Sequence, residues 1–309
     1  MQPIGAMQLV GAMQNVQTEP AIQRPGTHRA PPTGARGMSD LARLLSWVGE
    51  WAAGDGPLLL MTDYDGTLTP IVDDPADAIL ADDTREQLMR IARSPRGSVA
   101  VISGRGIEDL RARVGVPEVI YAGCHGLEIM GPSLEFRHPD AMAQQPMLWA
   151  VGETLVRRAP AVSGMRVEPK GLAVAVHYRH VPPDEIRRVE IELARAIREQ
   201  GSRLKIFHGT KVIEVLPQVA WTKGECARFI REHVLPSDPG PALCPPFWMY
   251  LGDDWTDEHA FEVLTGLALT VRVGDLVPSS KAAYRLKDVA EVRELLAAMA
   301  AGVTAGSRA

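Results

Sequence analysis

Three cysteines in 309 residues are too few, and odd in number, for a disulfide framework, and Cys124, Cys226 and Cys244 lack the spacing of a metal site. They read as small buried apolar residues of a chain kept in a reducing compartment, the cytoplasm. Long hydrophobic runs are also missing. No stretch is long enough to span a bilayer, and the N-terminus has no basic segment followed by a continuous apolar one, so no membrane partner is expected. Nor is there a basic excess: a formal net charge of -5 gives no general attraction to nucleic acid or anionic lipid. What is present is an ordinary globular composition, 46% hydrophobic and 23% charged, enough to bury one large core or two modest ones. A small molecule is the expected partner, and a monomer the expected state.

The chain is organised around Met61-Thr62-Asp63-Tyr64-Asp65-Gly66-Thr67-Leu68-Thr69-Pro70, where the apolar run Leu58-Leu59-Leu60-Met61 stops at two aspartates one residue apart. A continuous apolar run suits a strand covered on both faces, and Gly66 and Pro70 then turn the chain. Ligands of open α/β sheets collect at that edge, and side chains two apart on an extended chain point to one side. Taken alone, the pair is explained about as well by an acidic turn capping the next helix.

The rest of the chain extends the pattern. Ser39 reads as the cap of a helix ending near Gly54, 82–93 and 107–114 as further helices, and 98–102 and 119–122 as strands with polar exits at Ser103-Gly104-Arg105 and Gly123-Cys124-His125-Gly126. Strands alternating with helices predict a parallel sheet with helices on both faces, an α/β fold. Then the rhythm changes. Residues 167–179 and 204–216 alternate like hairpin strands around a helix over 184–200, which predicts an inserted α+β unit with one packed face and one face free to bind. On that alternation Glu214 shares a face with Val212 and Leu216, opposite Lys211. The parallel rhythm returns with a helix capped by Thr222, the strand Trp248-Met249-Tyr250-Leu251 halted at Gly252-Asp253-Asp254, a strand over 267–271 and a helix over 290–299. The predicted division is a disordered extension over 1–37, a core of 38–128 and 217–300, the inserted unit over 129–216, and a frayed tail over 301–309. Met7, Met13 and Met38 are each candidate starts.

This topology would gather Asp63, Asp65, Ser103, Lys223, Asp253, Asp254 and Asp257 at one sheet edge. Five carboxylates repel unless a hard cation lies among them, and all-oxygen ligands beside a phosphate point to Mg²⁺. The expected chemistry is phosphoryl transfer. Asp63 attacks phosphorus, and Asp65 protonates the leaving oxygen and then deprotonates water. Lys223 at a helix N-terminus neutralises the phosphoryl oxygens, Ser103 donates its hydroxyl, and Asp253 binds the metal, with Asp254 and Asp257 nearby or fixing Lys223. Singly, Lys223 reads as well as a surface lysine, and Ser103 as a turn hydroxyl.

Asp63-Tyr64-Asp65-Gly66-Thr67-Leu68, Ser103-Gly104-Arg105, Lys223-Gly224 and Gly252-Asp253-Asp254-x-Thr256-Asp257-Glu258 resemble the four ordered motifs of haloacid dehalogenase superfamily phosphatases. Within that superfamily the chain resembles the trehalose-phosphatase family. That likeness rests on Gly123-x-His125-Gly126, Glu168-x-Lys170, His177-Tyr178-Arg179, Val212-x-Glu214-x-x-Pro217 and Ala283-Tyr284-x-Leu286. It implies a Rossmann-like core with an α+β cap, hydrolysis of trehalose 6-phosphate through an aspartyl-phosphate, and Mg²⁺ held by Asp63, Asp65 (through its backbone carbonyl), Asp253 and Asp254. The cap would bring Glu168, Lys170, Arg179 and Glu214 to the sugar, with Thr67, Gly104, Arg105 and His125 completing the substrate-binding set. His125 and His177 are expected to hold structure rather than catalyse. Two departures stand out. A basic residue normally follows the hairpin glycine, but here Thr210 follows Gly209 and the lysine comes next, and Cys124 replaces a small hydroxyl residue. A phosphatase of sucrose phosphate or mannosylphosphoglycerate, and a non-catalytic sugar-phosphate-binding domain, are the alternatives.

Overall fold

The computed structural model describes residues 38–200, 204–209, 211–235 and 246–305. The extension expected over 1–37, Thr210 and Cys244 lie outside these residues. The central strand β1 (Leu58–Thr62) is buried along its whole length. Leu58 and Leu60 enter one apolar layer and Leu59 and Met61 the other, which is why the run is continuous rather than alternating. Each such leucine contributes about 1.5–3 kcal/mol by leaving water.

The sheet continues through β2 (Gly97–Ile102) and β3 (Ile120–Gly123) on one side of β1. On the other side lie β10 (Phe247–Gly252), β11 (Leu269–Val273) and β12 (Tyr284–Leu286), and all of these pairings are parallel. Helices α1 (Asp40–Ala52), α2 (Asp82–Arg93), α3 (Ile107–Val114) and α8 (Val289–Ala305) cover one face; α6 (Lys223–Val234) and α7 (Trp255–Val263) cover the other. The chain leaves β1 toward β2 and returns at β10, so the carboxyl ends of β1 and β10 flank a crevice where strand order reverses.

Between the two halves lies a second sheet, β6 (Arg166–Lys170), β7 (Ala173–His177), β9 (Val212–Pro217) and β8 (Leu204–Gly209) in that spatial order, all antiparallel. Helices α4 (Pro139–Arg158) and α5 (Ile186–Glu199) cover one face through Leu148, Val151, Val174, Val176, Val189 and Val215. Its other face looks onto the crevice.

Three sequence expectations change. The inserted unit does not begin at 129: β4 (Glu128–Met130) and β5 (Glu135–Arg137) extend the core sheet antiparallel from β3, so the insertion starts with α4. The 20-residue α4 escaped the sequence reading because Pro146 and Gly152 interrupt its pattern. Gly152 is there for packing, since a Cβ would lie 3.2 Å from Val174 on the neighbouring strand. The tail is not frayed from 301: α8 runs to Ala305, with Gly302 and Val303 buried, and a side chain at 302 would strike Trp51. No helix among the described residues is long and apolar enough to cross a membrane.

Candidate active site

Asp63 stands one residue past β1, its N–H bonded to the carbonyl of Leu251 on β10 at 2.9 Å, so the strand pair itself sets its position. The residue is 5% exposed. Lys223, the first residue of α6, extends its ammonium between two carboxylates, Asp63 Oδ1 and Asp257 Oδ1, each at 2.9 Å. Thr222 caps that helix by accepting from the Gly224 N–H. Burial disfavours a charged lysine, yet Asp257 and Asp63 outweigh it and raise the Lys223 pKa, so the ammonium persists.

Asp257 is wholly buried and its oxygens are already engaged. Oδ1 accepts from Lys223 and from the Tyr250 hydroxyl (2.8 Å), and Oδ2 accepts from the N–H groups of Asp253 and Asp254 at 3.2 Å. It therefore fixes the lysine and the β10 exit loop. Asp63, Asp253 and Asp257 each place a carboxylate oxygen within 4.8 Å of the others. Burial first, and then the neighbouring carboxylates, push the Asp63 pKa up and that of Asp253 to about 7. Gly66 sits against this group in the left-handed region (φ +83°), where a Cβ would come 2.1 Å from Asp253 Oδ2.

Not every predicted metal ligand joins the cluster. Asp254 turns away to cap α7, its Oδ1 accepting from the N–H and hydroxyl of Thr256, both at 2.6 Å. Burial works against its charge, but Lys223 and the Thr256 donors prevail and its pKa is lowered. Asp65, expected at the metal through its backbone carbonyl, keeps its carboxylate apart from the cluster, held by Arg105 through Nε and a terminal nitrogen, both at 2.7 Å.

Of Arg105 and Thr67, both predicted to bind substrate, Arg105 lines the cavity between core and cap and Thr67 does not. Arg105 is 8% exposed and gives two further N–H groups to Asp109 and the carbonyl of Pro75, each at 2.8 Å, so its guanidinium is fixed and orients Asp65. Thr67 is fully buried beneath Asp253, its hydroxyl 3.5 Å from Oδ1. Asp109, Tyr250 and the loop around Pro75 were missed by the sequence reading. Tyr250 carries a signal, since it lies inside the β10 run where a hydroxyl needs a buried partner.

Ser103 is 2% exposed at the end of β2, its hydroxyl accepting from the Arg105 N–H at 3.2 Å. Gly104 lies against the His125 ring, where a Cβ would approach to 2.8 Å. Above them a cavity of about 360 Å³ separates core from cap, lined on the core side by Asp63, Asp65, Ser103, Lys223 and Asp253, and on the cap side by Glu168, Lys170, Arg179 and Glu214. Cross-strand register puts Glu168, Ala175 and Glu214 in one row on this face.

Each cap charge has a partner. Glu214 accepts from Lys170 Nζ at 3.1 Å and lies 2.8 Å from His125 Nε2; despite burial, Lys170 and His125 hold its carboxyl far below the usual range. Glu168 is lowered by its contact with His177 at 2.9 Å. Arg179 meets Asp73 at 2.9 Å. Lys211, in the left-handed region at φ 62°, sits 6.0 Å over the Tyr178 ring and does not line this cavity. Cys124 is no nucleophile: burial pushes its thiol up to about 12.

The arrangement gathers one buried lysine and several carboxylates at the core side of a cavity whose opposite wall is the charged face of the cap sheet. A family model for trehalose-phosphatase matches residues 61–290. The chain is 34% identical over 265 residues to trehalose 6-phosphate phosphatase RA3 of Zea mays, covering 81% of this chain and 71% of that protein. It is 39% identical over 240 residues to a trehalose-phosphate phosphatase of Mycobacterium avium, covering 76% of this chain and 59% of that one. The structure of the C-terminal domain of C. albicans trehalose-6-phosphate phosphatase superposes with a TM-score of 0.69 at 26% identity, over 84% of this chain and 96% of that one. With the match running from the last residues of β1 through the start of α8, across both sides of the cavity, the chain belongs to the trehalose-phosphatase family.

Proposed function

We propose that the protein hydrolyses trehalose 6-phosphate to trehalose and inorganic phosphate through an aspartyl-phosphate on Asp63, as a Mg²⁺-dependent cytoplasmic enzyme. The observation that carries this reading is the Lys223 ammonium shared at 2.9 Å by Asp63 and Asp257, directly beneath a cap face bearing Glu168, Lys170 and Glu214.

The donor set fits a hard cation. Asp63 and Asp253 offer oxygens from a buried, mutually repelling group, whereas Asp257 is committed elsewhere. Mg²⁺ bound by these two would neutralise charge on the transferring phosphoryl group. In the first step an Asp63 oxygen bonds to phosphorus while the phosphorus–sugar oxygen bond breaks, and Asp65 delivers a proton to the departing sugar oxygen. Then water bonds to phosphorus, the Asp63–phosphorus link breaks, and Asp65 takes the water's proton back. Arg105 holds Asp65 at both oxygens, each of which retains a second lone pair directed elsewhere. Lys223 balances phosphoryl charge, and the cap supplies sugar contacts and excludes water.

Phosphate release is to be measured on trehalose 6-phosphate, sucrose 6-phosphate, glucose 6-phosphate and mannosyl-3-phosphoglycerate, with Mg²⁺ or with chelator. The expected result is preference for the first and loss of activity in chelator; preference for another member overturns the substrate assignment. Glu214→Ala should lower kcat/KM by roughly 10²-fold or more, because it also strands Lys170, while Lys211→Ala changes it by less than about threefold. The reverse order would show that the faces are misassigned.

Metal binding should also move protons. With its carboxyl pushed up to about 7 by burial, Asp253 is partly protonated in the metal-free protein at neutral pH. Mg²⁺ should therefore displace a proton, read by calorimetry in two buffers of different ionisation enthalpy, and Asp253→Asn should remove that release. At about a hundredfold excess over Kd the cation should raise the melting temperature by roughly 5 °C. Binding with no proton release in the wild type would count against Asp253 as a ligand.

A further inference from the structure

A large aromatic side chain borders the cleft without being part of either core. Trp255 follows Asp254 as the first residue of α7 and remains 42% exposed, whereas Trp47, Trp51 and Trp248 are buried. Its indole is held from two sides. His259, one turn along α7, meets it edge-on at 5.6 Å, and Phe207 lies 5.2 Å away at an interplanar angle of 37°. Phe207 stands opposite Glu214 in the β8–β9 register and so shares the crevice face of the cap sheet. The pair thus joins core to cap. Among the described residues lining the cavity, these two carry the only Phe, Tyr or Trp rings.

The remaining wall is mixed: Glu168, Lys170 and Glu214 charge the cap side, with Val212 beside them, while Ile71, Val72 and Pro75 supply small aliphatic patches but no flat apolar face. A pyranose has two kinds of surface to satisfy: hydroxyls around its edge, and faces of axial C–H bonds. Carboxylates and lysines serve the edge, but a C–H face left in water or against a charge gains nothing, while an aromatic face offers apolar area at low conformational cost. Trp255 lies two residues beyond Asp253 and lines the same cavity as Asp63 and Lys223, so its indole stands on the core wall, at the end of the cleft where the phosphoryl group would be received.

We propose that Trp255, buttressed by Phe207, is a specificity-determining stacking platform for the pyranose ring that bears the phosphate. This rests on the reading of the cleft as a sugar-phosphate site and adds a residue that sorts sugars from other phosphate esters.

The test compares Trp255→Ala, Trp255→Leu and Trp255→Phe with the wild type, all loaded with Mg²⁺, on trehalose 6-phosphate and on acetyl phosphate, which has no ring to stack. Trp255→Ala should raise KM for trehalose 6-phosphate about tenfold, with a much smaller fall in kcat. Trp255→Phe should recover most of that loss and Trp255→Leu little of it. The loss of kcat/KM on the sugar phosphate should exceed that on acetyl phosphate by at least about fivefold. An unchanged KM in Trp255→Ala, equal rescue by Leu and Phe, or equal losses on both substrates would each overturn the platform. If the wild type prefers another sugar phosphate, the substrate assignment fails, and the same variants are compared on that sugar. Turnover of acetyl phosphate but of no sugar phosphate sinks both.

Discussion

Asp63→Asn abolishes phosphate release, lowering turnover by roughly 10⁴-fold or more, while the protein stays folded. The size follows from the role: an amide oxygen cannot form the bond to phosphorus that splits the hydrolysis into two steps. Stability is expected to hold because the position tolerates loss of charge. Burial and the carboxylates of Asp257, Asp253 and Asp254 oppose ionisation of Asp63, and Asn keeps an acceptor for Lys223 while Asp257 keeps the counter-charge. The melting temperature should therefore move by no more than about 2 °C, equivalent to about 1 kcal/mol. Acid quench of the wild type with radiolabelled substrate should trap label on the protein, and the variant should trap none. A variant with normal turnover would remove the covalent mechanism.

Lys223→Met is expected to damage stability and activity together. The side chain is 3% exposed and serves two buried carboxylates, so its removal leaves Asp63 and Asp257 without their cation, at a cost of about 3–5 kcal/mol. The deficit should depend on pH in a definite direction. Both carboxyls already have pKa values raised by burial, and loss of Lys223 raises them further. A carboxyl with a raised folded pKa holds its proton in the native state where the unfolded chain has released it, so stability falls as pH rises through that window. Urea unfolding of the metal-free variant should thus show a smaller deficit at pH 5 than at pH 7.5. An equal deficit at both would mean that the stranded charges are not its cause. Turnover should fall by roughly 10³-fold or more, since the group balancing phosphoryl charge is gone.

The parts that could be read along the chain are those governed by local rules. Leu58-Leu59-Leu60-Met61 feeds two apolar layers, and a strand covered on both faces has no other economical pattern. Ser39 and Thr222 cap α1 and α6 through side-chain oxygens accepting from backbone N–H groups within three residues, so both helix starts were visible. Alternation in the cap strands put Glu214 on the free face, and its register with Ala175 and Glu168 agrees; Lys211 precedes β9 in the left-handed region, where alternation does not govern it. Local rules failed where packing overrode them. Pro146 and Gly152 should have broken α4, yet close approach to β7 makes Gly152 useful. The hairpin of β4 and β5 joins the core sheet because β3 offers an open edge, which no feature of residues 128–137 announces.

The same division runs through the site. Which residues supply carboxylates, a lysine and a hydroxyl at strand ends was legible from Asp63, Asp65, Ser103, Lys223 and Asp253, because strand ends and helix starts have sequence signals. How those groups divide the work was not, because it depends on neighbours far away in sequence. Only the folded chain turns Asp65 and Arg105 onto each other, decides that Asp257 rather than Asp254 holds Lys223 and the β10 exit loop, commits Asp254 to capping α7, and sets Trp255 of the core beside Phe207 of the cap. Residue types and the period of an element are one-dimensional properties. The choice of partner for a charge or a ring is made by the crossing of β1, β10 and the cap sheet in space.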